Sequence, residues 1–427
     1  MLKAVCAALV CGMMVFGAGR ACAGEPERHR ILISSDIGGT DPDDNQSLAH
    51  LLMYSDCFDI EGIVSSPSFG KGSKEEILRM IDVYAKDYPV LRKKYGNLVS
   101  PDSLRPLCKQ GRRGLAPFRG YDTPTEGSEW IVRCARKESR RPLYVLVWGT
   151  LEDVAQALHD APDIADRIRV YWIGGPNKKW GVNSYTYVAR NFPDLWMIEN
   201  NASYRGMISD RKISDDYNAN YYDTFIKGAG HLGADFKQYY GGLVKMGDTP
   251  SLLYMMDGDP ADPEGESWGG SFERISESPY TVFTRNTTDK DTVAVYSVME
   301  FRFDGPVLAD SCIGRKFFTF TADRQDWDGV YTGGGKFAVR YSPKQPAILK
   351  YETSSDIKEL DGHRGTVIVS GVWPGEKTSG GMALGNNWYS DRQDPRLFKG
   401  VWQGSVTVAK HREEVLDDWA ERWKVLK

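Results

Sequence analysis

Cysteine is scarce in this chain. It has seven in 427 residues, and three of them (Cys6, Cys11, Cys22) fall within the first 23. The other four, Cys57, Cys108, Cys134 and Cys312, show no CxxC spacing. That excludes a zinc ribbon and a thioredoxin-type redox motif. Mostly buried thiols, with room for one bridge, are expected instead. The six histidines are scattered and form no metal-binding spacing. No strong excess of one charge is present: the formal net charge is −4. A nucleic-acid partner is therefore not expected, because such proteins need a basic patch to displace counterions. Past residue 16 no apolar run approaches the roughly 20 residues a membrane helix needs. Internal repeats and low-complexity linkers are missing too.

What is present begins with a targeting signal. Lys3 supplies a positive end, residues 4–16 form an uncharged apolar run, and Ala21-Cys22-Ala23 gives a small-x-small cleavage pattern. Residues 1–23 read as a signal peptide, so the protein is expected to be exported, periplasmic or extracellular. Cys22 also suggests lipoprotein acylation, but Arg20 sits where such sites want a small neutral residue. With 41% hydrophobic and 26% charged residues the remainder can bury a large core. Its length implies a principal domain and a smaller one. Aromatics reach 12%, serving as core or as sugar platforms.

From residue 30 to about 256, apolar strands alternate with amphipathic helices. Strands are expected at 31–33, 60–65, 143–148, 169–173 and 195–198, and helices at 46–54, 74–86 and 151–158. This alternation predicts a mostly parallel open α/β sheet with helices on both faces and a ligand crevice at the strands' carboxyl ends. After about residue 277 the texture changes. β-branched and aromatic runs at 292–303, 316–322, 336–341, 347–353 and 365–372 alternate with Gly, Pro, Asp and Asn clusters, which predicts an antiparallel β-sandwich. The chain closes with a helix over 411–426 whose Val415, Leu416, Trp419 and Trp423 form one stripe. That stripe needs a partner, so the helix should return to the first domain. The expected organisation is an α/β domain over 24–276, an insertion over 277–383, and a return segment over 384–427.

The most informative stretch is Ser34-Ser-Asp36-Ile-Gly-Gly-Thr-Asp41-Pro-Asp43-Asp44-Asn-Gln-Ser-Leu48. Four carboxylates crowd one strand-to-helix turn, and their repulsion must be offset by a cation or a helix amino terminus. Hard oxygen donors without nearby His or Cys point to calcium or magnesium, and a roomy, irregular loop favours calcium. Capping would explain one acid, Asp43 or Asp44, but not four. An EF-hand fails, since a loop starting at Asp41 has Gln46 where glycine is required and Leu52 where glutamate is required. The Gly38-Gly39 pair is weak evidence for a dinucleotide, whose phosphates would not face acids.

This loop resembles that of the nucleoside hydrolases, and more closely that of an exported branch described as cellulose-binding, nucleoside-hydrolase-like proteins. Phe58-Asp-Ile-Glu-Gly62, Val170-Tyr-Trp-Ile-Gly-Gly175, Asn191-Phe-Pro-Asp-Leu-Trp196, Tyr204-Arg-Gly-Met207, Ser267-Trp-Gly-Gly-Ser-Phe272 and the final Asp-Trp-Ala-Glu-Arg are similar to that branch. The resemblance implies a calcium-dependent hydrolase of glycosyl bonds, acting on an N-ribosyl or related sugar. A carbohydrate-binding protein that keeps the fold without turnover, or an insertion that binds polysaccharide, are the alternatives. Asp44 would chelate Ca2+, with the Thr150 carbonyl and Asp248 as further ligands. Asp36 would touch the metal and take a proton from water, and Asp43 would bind sugar hydroxyls. Glu199, Asn200 and Asn201 stand where a sugar-binding asparagine is expected. Trp268, and with less force Trp180, Tyr185 and Phe272, could stack on a sugar or base. A cap at Asp248 and an ordinary turn at Thr150 remain open. Family members often form homo-oligomers, through contacts the insertion could block. Many also carry a histidine beside the last aspartate, where this chain has Gly247, and the asparagine usual after the second strand is replaced in Ser65-Ser66-Pro67-Ser68.

Overall fold

The computed structural model describes residues 28–208 and 220–427, so the expected signal peptide lies outside the described residues. Six strands build the first half of the chain: β1 (His29–Ser35), β2 (Phe58–Ser65), β3 (Cys108–Gln110), β4 (Leu143–Val147), β5 (Ile168–Ile173) and β6 (Trp196–Asn200). They pair in parallel in the order β3-β2-β1-β4-β5-β6. Ile31, Leu32 and Ile33 of β1 are fully buried, as are all of Leu143–Val147 except for a slight exposure of Tyr144. Such continuous apolar runs are what a sheet covered on both faces demands. Helices Asp43–Met53, Lys74–Lys94, Glu126–Ala135 and Glu152–Asp160 provide the cover. The strand order reverses direction between β1 and β4, and the carboxyl ends of these two strands frame the crevice.

Two late strands complete this sheet. β18 (Trp388–Asp391) joins β6 in parallel, and β7 (Phe272–Arg274) closes the edge antiparallel to β18. Between them lie β8 (Glu277–Ser278) and β17 (Met382–Ala383), which pair with each other. They also enclose a second sheet of eight strands: β9 (Tyr280–Phe283), β10 (Thr292–Val293), β11 (Val298–Asp304), β12 (Lys316–Ala322), β13 (Gln325–Gly333), β14 (Lys336–Tyr341), β15 (Ala347–Ser354) and β16 (Arg364–Val369). Its order is β10-β16-β15-β12-β13-β14-β11-β9, antiparallel except at the two edge pairs. β11 and β12 stand three places apart, yet Phe301 and Phe320 have ring centroids 4.8 Å apart. Flat neighbouring strands lie about 4.8 Å apart, so three steps would separate these rings by about 14 Å. The sheet is therefore folded over, and the sandwich forms from one continuous sheet. Phe283, Phe301, Phe320 and Tyr351 fill its interior.

The terminal helix, Arg412–Lys424, does return to the first sheet's side. Val415, Leu416, Trp419 and Trp423 are buried there, and Trp419 meets the rings of His50, Tyr221 and Phe236. Cys108, Cys134 and Cys312 are free thiols. No helix among the described residues is long and apolar enough to cross a membrane.

Candidate functional site

β1 delivers the acidic loop to the crevice. Gly38 sits at φ +84°, and a Cβ there would lie 2.8 Å from the Cβ of Ser73, so the turn needs glycine. The Gly39 amide then closes the turn by donating to the Asp36 carbonyl at 3.0 Å. Helix Asp43–Met53 starts at once, with Pro42 as its cap residue and no side-chain cap. Asp43 and Asp44 occupy its first turn, so neither serves as the cap. Ser35 Oγ donates to Asp44 Oδ1 at 2.5 Å and fixes that carboxylate.

The second acidic arm comes from 200 residues away. Asp248 stands at the cap position of helix Thr249–Met256, yet its carboxylate makes no capping bond. Its Oδ2 is buried without any hydrogen-bond partner. Carboxylate oxygens of Asp43, Asp44 and Asp248 lie within 4.8 Å of one another. The amino termini of two helices face this cluster and offset part of its charge. The remainder is visible in the proton affinities. Burial first, and the Lys245, Asp41 and Asp36 charges after it, leave Asp43 raised to about 7. Burial and neighbouring aspartates push Asp44 and Asp248 well above the ordinary range. Asp36 is raised to about 6, mainly by burial, against hydrogen bonds from Asp44 and Ser68 that lower it. Three converging carboxylates with an orphaned oxygen, and no nitrogen or sulfur donor among them, suit a hard divalent cation.

Above the cluster opens a cavity of about 380 Å³. Asp36, Asp43, Asp44 and Asp248 lie in its lining together with Trp148, Ile173 and Asn177. Asn177 donates to the carbonyls of Trp148 and Ile173, at 2.8 and 3.0 Å, and accepts from Ser68 at 2.8 Å, tying three strand ends together. Lys245 closes one side. It contacts Asp41 and reaches Asp43 at 3.2 Å. Trp180 and Phe69 form an aromatic wall with ring centroids 4.8 Å apart. The second sheet takes part too: Gln325 and Lys344 line the same cavity. Trp327 lies parallel to Trp180 at 6.1 Å, and Lys179 donates to Asp323 at 2.8 Å and to Gln325 at 2.6 Å, fastening the β12–β13 hairpin to the rim.

The family described as "Cellulose-binding Sde182, nucleoside hydrolase-like domain" matches residues 30–272, more than half of the chain. The chain belongs to this family. The match spans the acidic loop and Asp248 and stops at β7, leaving the second sheet outside it. A solved structure from Saccharophagus degradans, a nucleoside hydrolase-related protein associated with carbohydrate metabolism, is similar at 18% identity and a TM-score of 0.50. That similarity covers 80% of this chain and 99% of the other. An inosine-uridine preferring nucleoside hydrolase from Bacillus anthracis shares 16% identity over 59% of this chain and 86% of its own, with a TM-score of 0.40. At 18% identity the first of these likenesses concerns the fold alone. Among curated proteins no match is found.

Within this family member, the expected metal residues Asp44 and Asp248 do converge, and Asp36 adjoins them. Asp43, expected at the sugar, belongs to the same cluster. Thr150 is buried and does not line the cavity; its hydroxyl and amide both donate to the Pro67 carbonyl, at 2.7 and 3.1 Å, holding the segment that carries Ser68 and Phe69. The structure does not bring Glu199, Asn200 and Asn201 to the cavity. Glu199 is fully buried in an ion pair with Lys178 and accepts from Tyr185, Trp388 and Asn201. Asn200 accepts from the Tyr204 amide and donates to the Tyr171 hydroxyl, and the Asn201 side-chain Oδ1 accepts from the Gly175 amide. These are architectural bonds. Trp268 is equally removed, 6% exposed with its indole donating to Glu414 at 3.3 Å, and Tyr185 and Phe272 are core. Each lies beside a glycine-rich or polar stretch that reads as a loop in sequence, but Tyr185 lies on helix Val182–Asn191 and stacks on Trp172, Phe272 begins β7, and Trp268 reaches the terminal helix. Of the four aromatics, only Trp180 lines the cavity. Gln325 and Lys344 carried no signal in their own segments, whereas Lys245 lies two residues before Gly247-Asp248 and Arg205 lies within Tyr204-Arg-Gly-Met207, a segment that marked the family without pointing to a role for the arginine.

Proposed function

We propose that this protein is a calcium-dependent hydrolase of glycosyl bonds, acting on an N-ribosyl or related sugar substrate outside the cytoplasm. The observation that carries the reading is the unpartnered Asp248 Oδ2 set against Asp43 and Asp44 at the base of the cavity. Asp44 and Asp248 would hold Ca2+, with Asp43 completing the carboxylate set. Bound calcium would orient a sugar diol and a water molecule. Asp36, next to Asp44, would be the base that takes a proton from the attacking water. The carboxylate-rich floor favours the positive charge that develops on a sugar as its glycosidic bond breaks. Trp180 and Phe69 offer ring faces to a sugar or to its leaving group.

A second reading, a carbohydrate-binding protein that retains the fold, is favoured by one observation. The cavity lining contains no histidine and no glutamate among the described residues. A Cβ at Gly247 would lie 2.4 Å from Asp43 Oδ2, so a leaving-group histidine in that place would have to displace the Asp43 carboxylate. The deciding experiment incubates the calcium-loaded protein with a panel of nucleosides and aryl glycosides and measures released base, phenol and reducing sugar. Turnover abolished by EDTA and by Asp36→Asn supports the hydrolase. Calcium-dependent sugar binding without turnover on any substrate transfers the conclusion to the binding protein.

A further inference from the structure

The cavity's cations are not all engaged. Lys245 is held between Asp41 and Asp43, and Lys179 between Asp323 and Gln325. Arg205 and Lys344 also line the cavity, but neither has a carboxylate partner among the described residues. Arg205 follows β6 in the short turn Ser203–Gly206, and its guanidinium lies 4.4 Å from the Trp402 ring and 5.2 Å from the Tyr204 ring. Its Nε is buried and has no hydrogen-bond partner. The guanidinium also hydrogen-bonds the Tyr204 hydroxyl, and its remaining in-plane donors, Nε among them, stay available to an anion. Lys344 comes from the other half of the fold, the half-buried loop between β14 and β15. Asp43 attracts Arg205 through space without forming an ion pair with it. Two cations from separate parts of the chain thus converge on one cleft without a counter-ion in contact, and desolvated charge is costly unless it is paired.

We propose that the sugar taken by this site carries an anionic substituent, a carboxylate or a phosphate, held at the rim by Arg205 and Lys344. The inference rests on the sugar-binding reading above and narrows its substrate class. The floor takes the sugar hydroxyls, the Trp180 and Phe69 wall takes the ring face, and the two cations take the charged group. A neutral sugar leaves both cations unpaired, which is how a polar site rejects the analogue that lacks the matching group. The second sheet, by supplying Lys344 and Gln325, is then a specificity element of the site.

Calorimetric titration of the calcium-loaded full chain tests this with two matched pairs, D-galacturonate against D-galactose and ribose 5-phosphate against ribose. The expected result is that one acidic member binds at least about tenfold more tightly than its neutral counterpart, the scale of one charge-assisted hydrogen bond. Which pair shows the preference separates carboxylate from phosphate. Lys344→Gln, in a loop whose loss of charge leaves the core untouched, should reduce the preference severalfold, and Arg205→Gln should abolish it. Equal binding of acidic and neutral sugars, or a preference that survives both substitutions, overturns this inference alone. Failure of every sugar to bind while calcium still binds overturns the proposed function with it.

Discussion

Replacing Lys178 with methionine should destabilise the protein by about 3–5 kcal/mol, the usual cost of stranding one partner of a buried ion pair. Lys178 and Glu199 are both fully buried and joined directly. The Lys178 ammonium also faces the Tyr185 and Trp373 rings at 4.1 and 4.0 Å. Methionine fills similar volume and keeps the aromatic contacts, so the loss comes from Glu199, left as a carboxylate with only three neutral donors. Those donors are Tyr185 and Trp388 at 3.0 Å and Asn201 at 2.9 Å. Glu199→Gln alone should cost a comparable amount, because it strands the lysine. The double variant Lys178→Met/Glu199→Gln should recover most of the stability, since glutamine keeps one acceptor oxygen and buries no charge. Equilibrium urea unfolding of the four proteins gives the coupling energy. Unfolding of Lys178→Met within about 1 kcal/mol of wild type, below the range for a broken buried pair, would refute this role of the pair. Full stability of Glu199→Gln with loss of sugar binding would refute it too and return Glu199 to the site.

Calcium at a hundred times its dissociation constant should add about 2.7 kcal/mol of stability, read as a rise in melting temperature that EDTA reverses. Asp248→Asn should lose that rise while still folding, because the carboxylate makes no bond in the protein that the amide breaks. Gly247→Ala should weaken calcium binding at least about tenfold by calorimetry, since its Cβ would sit 2.4 Å from Asp43 Oδ2 and displace that carboxylate; unchanged affinity would remove Asp43 from the metal set. Buried His50 has its proton affinity lowered to about 3, by burial and then by Arg422. A base depressed below its ordinary 6.5 contributes stability that is complete above pH 6.5 and is lost as pH falls toward 3, so acidification from pH 7 to 5 should cost about 2 kcal/mol through this group. His50→Leu should flatten that slope, measured by urea unfolding at both pH values.

The α/β half of the fold was legible because burial there leaves a continuous trace. Each of the strands β1, β2, β4, β5 and β6 is an apolar run, and each overlaps its expected position. Strand β3 escaped because Cys108-Lys109-Gln110 is too short and too polar to show a period. In the second sheet, β12, β14, β15 and β16 announced themselves through aromatic and β-branched residues. β13 did not: its Gln325-Asp-Trp-Asp-Gly329 opening looks like a loop because its outward face is solvated and Gly329 lies under the ring of Phe318, 2.1 Å from where a Cβ would be. Asp323 and Arg324 make the two-residue turn before it, both at positive φ where glycine or asparagine is usual. Without that turn signal, a hairpin reads as one strand and a tail.

The same physics divides the site. Its acidic half is legible because repulsion among Asp36, Asp41, Asp43 and Asp44 is a property of sequence-adjacent charges, which must be offset in any fold by a cation or a helix amino terminus. Asp248 was within reach for a related reason: it precedes a helix start, where a carboxylate has either a cap to make or a ligand to hold. The rim is different. Glu199, Asn200 and Asn201 end a strand beside the crevice, and polar residues there suggest a ligand, yet an ion pair with Lys178 and backbone bonds to the neighbouring turns use their polar groups. Lys344 is an ordinary surface-type residue in its own segment, and Arg205 lies in the quoted Tyr204-Arg-Gly-Met207 segment, which gives it no role on its own. What makes them unusual is that two remote segments leave both facing one cavity without a counter-ion, and only the tertiary fold contains that fact. Residues whose role comes from local charge can be found in a sequence, whereas those whose role comes from unpaired convergence require the structure. Binding at the rim is therefore where the second sheet would exert its effect.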